Sequence, residues 1–146
     1  MIQPIGFIKR TTIIIYDALL LVGVVMVCYT LLYGIASLLL PDSAQSSLLG
    51  KACKIIYLLL APFLFYGWFW THGGQTLGMK AWHVYLVNQD GKFINWKTAF
   101  IRYCSAILSW ACFGLGFTWI LVDKRNLAWH DRLSGTQIIR SKQNPK

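Results

Sequence analysis

A helical membrane protein is the fold class the sequence predicts: two transmembrane helices, a third apolar segment that either re-enters or spans, and a small cytoplasmic β-hairpin. Three observations predict it. Hydrophobic residues make up 56% of the 146-residue chain and charged residues only 13%, a balance well beyond what a soluble core needs. Two long runs contain almost no charge. Between the second and third apolar runs, two short stretches rich in aromatic and β-branched residues flank the turn sequence NQDG, which is a hairpin signature.

The first helix is expected over about 11–40. From 13 to 40 only Asp17 is charged, and that stretch makes roughly 42 Å of helix against a hydrocarbon core of roughly 30 Å. It must tilt or protrude. Pro41 ends it, and PDSAQSS reads as a short polar loop. The second helix, about 52–71, has Lys54 near its start and finishes in Phe63, Phe65, Tyr66, Trp68, Phe69 and Trp70, an interfacial aromatic belt. Pro62 deletes one of its backbone hydrogen bonds and predicts a bend.

A cytoplasmic loop and hairpin follow over 72–95, and GTQIIR near residue 140 is a further strand candidate. A sheet of two or three strands on the membrane surface is expected. The third apolar segment, about 97–122, is interrupted by Gly114 and Gly116 and leads into a basic tail over 123–146. The whole chain reads as one membrane domain. No cleaved leader is expected, because the first apolar run is too long for one and lacks a small-residue cleavage ending.

The 14 Lys and Arg against 5 Asp and Glu give +9. In so apolar a chain this excess marks cytoplasmic retention, and no nucleic-acid partner is expected. Lys9 and Arg10 precede the first helix; Lys80, Lys92, Lys97 and Arg102 precede the third segment; Lys124, Arg125, Arg132, Arg140, Lys142 and Lys146 follow it. Three full crossings would strand the tail outside. A hairpin breaking near Gly114 keeps it inside, with both termini cytoplasmic in a bacterial inner membrane.

Chemistry concentrates at few residues. A carboxylate inside a spanning helix costs roughly 2.5–3.5 kcal/mol on insertion scales, so Asp17 requires a partner. Arg10 lies on nearly the same helical face but leans away, because side chains tilt toward the helix N-terminus. A cation from another segment, Arg102 or Arg132, is the better candidate. The expected polar cluster is Arg10, Asp17, Arg102, Asp131 and Arg132.

Other motifs exclude functions. His72, His83 and His130 have no metal-ligand spacing, so no metal is expected. HGGQTLGMK lacks the Lys-Ser/Thr ending of a phosphate loop. Cys28, Cys53, Cys104 and Cys112 have no CxxC spacing and read as small hydrophobes. With no nucleophile–base pair or paired carboxylates, neither a catalytic residue nor a cofactor is expected, and the protein reads as no enzyme.

Taken together, these segments resemble the RDD family of small membrane proteins, named for one arginine and two aspartates. GFIKRTTIIIYDALLL matches the first two with Arg10 and Asp17, LAWHDRLSGT matches the second aspartate with Asp131, and GGQTLGMKAWHVYLVNQDG resembles the family's glycine-rich loop and strand. The match runs from about residue 4 to 140. Trp82 and His83 depart from it, since a more aliphatic or glycine-containing strand is expected there. The resemblance implies a membrane domain of largely undefined activity, with ion or proton transport proposed for some members.

Two functions follow as expectations. The first is a membrane accessory or scaffold subunit, embedded in the bilayer and bound to a larger membrane complex or to copies of itself. Two or three helices scarcely enclose an aqueous path alone. The alternative is a small ion or proton transporter using Asp17.

Overall fold

The computed structural model describes residues 3–123 and 127–140. Lys124, Arg125, Lys142 and Lys146 of the basic tail lie outside the described residues. The elements in order are β1 (Gln3–Pro4), α1 (Phe7–Leu39), α2 (Asp42–Ser46), α3 (Leu48–Thr71), α4 (Leu77–Ala81), β2 (Val84–Asn88), α5 (Trp96–Ala111), α6 (Leu115–Thr118), a 3-10 turn (Trp119–Leu121), α7 (Trp129–Ser134) and β3 (Thr136–Arg140). The chain divides into two compact units, one of residues 1–17 and 66–146, the other of residues 18–65.

The 18–65 unit holds most of α1, all of α2 and most of α3. Both α1 and α3 are long and apolar enough to cross a membrane. Within this unit Tyr57 donates its hydroxyl to the Val25 carbonyl at 2.9 Å, and its ring lies 5.9 Å from that of Tyr29. Lys54 stands 5.3 Å over the Tyr33 ring, so the charge near the start of α3 is set against an aromatic face. The helix runs through Pro62. Leucines such as Leu31, Leu38 and Leu58 point outward, the arrangement of a helix whose solvent is lipid. Cys28 and Cys53 are also exposed here; they belong to that outer apolar surface and not to a core.

The other unit is built around a three-stranded antiparallel sheet in the order β1-β3-β2. Its strands are short and their buried faces carry Val84, Leu86, Val87, Ile138 and Ile139. The small antiparallel sheet is as expected, but its pairing differs from a simple hairpin. The NQDG turn forms, with Gly91 at φ +78° and Asn88 N–H donating to Lys92 O at 2.9 Å. The chain beyond Lys92 then leaves without pairing, and β2 pairs with β3, Leu86 opposite Ile138. GTQIIR is the better partner because its alternating pattern continues the buried face, whereas the return stretch runs directly into the α5 cap, where the Asn95 side chain accepts from Thr98 N–H at 2.9 Å.

The glycine-rich loop packs against this sheet. Gly74 has φ +63°, and a Cβ there would meet the Leu86 carbonyl at 2.9 Å; its own carbonyl accepts from Leu86 N–H at 2.7 Å. Only glycine fits. His83, one half of the departure from the family pattern, enters β2 at φ 52°, a left-handed position that glycine occupies more easily.

The third apolar segment is broken. α5 and the following short helices are bent by 107° at the break, where Gly114 takes φ +76°. α5 alone is about 24 Å long, short of a full crossing. It buries a polar stripe of Arg102, Ser105 and Ser109 while Phe100, Ile107, Leu108 and Trp110 face outward. A Cβ on Gly116 would come within 2.1 Å of Ser109 Oγ, so α6 folds back on that stripe because it presents bare backbone.

Candidate functional site: a buried arginine–aspartate cluster

Arg10, Ile13 and Asp17 are the buried residues of α1. Their spacing of three and four puts them on one face, and that face points into the sheet-bearing unit. Asp131 is fully buried on α7 and is gripped from two sides. Arg10 Nη1 donates to its Oδ2, and Arg102 Nη1 donates to its Oδ1 at 2.6 Å. The backbone N–H of Ala128 adds a bond to Oδ2 at 3.0 Å, using a donor the first turn of α7 would otherwise leave orphaned. Arg102 also donates to Thr136 Oγ1 at 2.5 Å and lies 5.3 Å from the Trp70 ring. α1, α5 and α7 are thus tied at one carboxylate, and Arg102 carries the tie on to β3.

Burial disfavours the charge on Asp131, but Arg102 and then Arg10 outweigh it and hold the carboxyl well below the usual carboxylate range. His130, beside it, goes the other way. Burial first and Arg102 second push its imidazole down to about 3, so the ring is neutral although Nε2 lies 3.5 Å from Asp131 Oδ1.

Asp17 is held by neutral donors. Thr76, which caps α4, donates its hydroxyl to Oδ2 at 2.5 Å, and Gly78 N–H donates to Oδ1 at 2.8 Å. A Cβ on Gly78 would meet Oδ1 at 2.9 Å. The close approach therefore depends on glycine, and the cation expected to pair with Asp17 is replaced by the amino end of α4.

Of the five expected site residues, Arg10, Arg102 and Asp131 meet directly. Asp17 joins the same unit through α4 and lines a cavity with Arg10, Arg102 and His130. Arg132 does not join. It pairs with Asp123, its side chain 52% exposed, because successive residues on α7 point in different directions and Asp131 takes the inward one. Thr76, Gly78, His130 and Thr136 were not among the expected residues. The Thr-x-Gly of QTLG was the available signal for two of them, since a threonine cap followed by a glycine marks a helix start that can receive a carboxylate.

A mostly helical chain, with two helices able to cross a membrane, a third apolar pair sharply broken, and a small sheet over a buried Arg–Asp cluster, defines a membrane protein. The RDD family model matches residues 4–135, and the chain belongs to the RDD family. Neither a curated protein nor a solved structure matches it.

Proposed function

We propose that this protein is a non-enzymatic accessory or scaffold subunit of a larger complex in the bacterial inner membrane, its sheet-bearing unit on the cytoplasmic side. One observation carries the reading. The buried charges are all held inside one unit, Arg10 and Arg102 on Asp131 and Asp17 on the Thr76 hydroxyl and the Gly78 N–H, each charged residue at most 3% exposed, and both oxygens of each carboxylate are engaged. Such a set fixes the relative positions of its elements. The charge distribution supports the side assignment: Lys9, Lys80, Lys92, Lys97, Arg132 and Arg140 are exposed on the sheet-bearing unit, whereas the 18–65 unit carries Lys51 and Lys54. The outward apolar side chains of α1 and α3 offer the partner surface.

A second reading, ion or proton transport, is favoured by the Asp17 carboxylate, which has no direct cationic partner and lines a cavity. Flux across proteoliposomes before and after Asp17→Asn separates the two. The scaffold shows no flux in either protein, and photo-crosslinkers at Leu31 and Ile55 capture one membrane partner in fixed ratio. Flux that disappears in the variant overturns the scaffold reading.

A further inference from the structure

A second cavity, of about 720 Å³, lies between the first turn of α1, the start of β2, the end of β3 and the 3-10 turn, and shares no lining residue with the Arg–Asp cluster. All of its wall belongs to the sheet-bearing unit. Its size falls within the roughly 300–1,000 Å³ of sites that take small organic ligands. A Cβ added to Gly6, on that wall, would meet nothing within 4 Å, so the space is open as well as large.

Two cations line this cavity and no acid does. Lys9 and Arg140 are both exposed, and neither is in an ion pair among the described residues. The chain has 5 acidic residues, and each is committed elsewhere or absent from the wall. Asp17 and Asp131 are buried, Asp123 is held by Arg132 and the Leu127 N–H, Asp90 sits in the turn beyond the far end of β2, and Asp42 belongs to the 18–65 unit. A cleft lined by one sign of charge between low-dielectric walls concentrates its counter-ion, so the occupant is an anion. The rest of the wall decides which anion. Ile5, Phe7, Ile8, Trp82 and Leu121 are apolar or aromatic, and Ile8 and Leu121 are 80% and 66% exposed. A free phosphate gains nothing from such side chains, whereas a charged head on hydrocarbon tails gains from both parts of the wall. The position agrees. Lys9 stands at the amino end of α1, a helix able to cross the membrane, and Leu121 ends the broken apolar segment. Both lie where the chain leaves the hydrocarbon, the level at which a tryptophan such as Trp82 settles.

We propose that this cavity binds one anionic glycerophospholipid, its phosphate between Lys9 and Arg140 and its acyl chains running into the bilayer past Ile8 and Leu121. This stands independently of the scaffold reading, since it requires only that the sheet-bearing unit meets the membrane surface. A zwitterionic lipid is the poorer occupant, because its head brings a further cation to two that are already unpaired.

The test uses the full chain in a nonionic detergent, with dioleoylphosphatidylglycerol or dioleoylphosphatidylcholine added in steps and the retained lipid counted by native mass spectrometry. Saturable retention of one phosphatidylglycerol per chain is expected, with phosphatidylcholine held more weakly. Lys9→Gln and Arg140→Gln should each lower the phosphatidylglycerol affinity about fivefold, the weight of one basic residue at an anionic surface, and the two together should remove the preference. Lys97→Gln neutralises an exposed cation of the same unit outside the cavity and should leave the affinity unchanged. Gly6→Trp should abolish retention by filling the space. Equal retention of both lipids makes the cavity a general apolar groove, and an equal fall in Lys97→Gln makes the attraction diffuse surface charge. Displacement by acyl-free glycerophosphoglycerol, or by inorganic phosphate, at the lipid's own concentration makes the ligand a soluble phosphate. Each of these results overturns the proposal. Should Gly6→Trp not fold, unchanged retention in Arg140→Gln decides against it.

Discussion

Asp131 is where a single atom change has the largest expected effect. Asp131→Asn keeps the shape but leaves Arg10 and Arg102 buried without a counter-charge, a loss of about 3–5 kcal/mol. In detergent the variant should melt far earlier than wild type or fail to give a monodisperse peak, and adding Arg10→Met should recover part of the loss. Full stability in Asp131→Asn would disprove the clamp. His130 adds a pH signature. Its folded-state value of about 3 lies below the ordinary histidine value of 6.5, so between those limits the unfolded chain holds a proton that the folded chain does not. Stability is therefore fully present above pH 6.5 and falls as pH drops toward 3, by at most about 1.4 kcal/mol per pH unit. Asp131 has the same sign, and its contribution is lost only below the ordinary aspartate value of 3.8. Melting midpoints measured from pH 7 to 5 should decline in wild type and flatten in His130→Gln. At this scale the sequence, through charge and chain position, pointed to Arg10, Arg102 and Asp131 but not to their pairing, since the cation expected at Asp17 sits on Asp131 instead and Arg132 turns to Asp123. It concealed the partner of Asp17, because a backbone N–H and a hydroxyl carry no charge to count.

Among the elements, the break after α5 is the least conventional and the most dependent on glycine. Gly114 supplies the left-handed turn, and Gly116 lets α6 lie on Ser109. Gly116→Ala should cost about 1–3 kcal/mol through overpacking. Ser109→Gly in the same chain should restore part of it, whereas Ser109→Ala should not, since Ser109 Cβ itself lies 2.6 Å from the added atom. Thermal unfolding of the three proteins checks this order. The break was legible as two glycines in an apolar run. Long helices were legible too, to within a few residues at each end, since hydrophobic length survives any packing detail. Strand partners were not: NQDG fixes a turn locally, but which strand lies beside β2 is decided by β3, about fifty residues further along the chain.

For the whole molecule, the charge distribution predicts sidedness that can be tested without reference to any activity. In a background with the four cysteines replaced, Gln89→Cys should react with an impermeant maleimide only after spheroplasts are opened. Ser43→Cys, beside Pro41, should react in intact spheroplasts. Labelling of Gln89→Cys from outside would reverse the orientation and remove the support for cytoplasmic termini. Position 141, the natural reporter for the tail, lies outside the described residues, which makes Gln89 the better choice.

β3 lies between β1 and β2, and Asp131 reaches Arg10 across 121 positions of sequence. During translation this arrangement has a direction in time. Both apolar helices and both arginines leave the ribosome before the aspartate that neutralises them, and before the strand that joins the sheet's two edges. Until Asp131 has been made, Arg10 and Arg102 have no counter-charge to close on, and until β3 follows it, β1 and β2 have no strand between them. β3 thus acts as a seal on synthesis: a chain that stops before it has no strand to join β1 to β2.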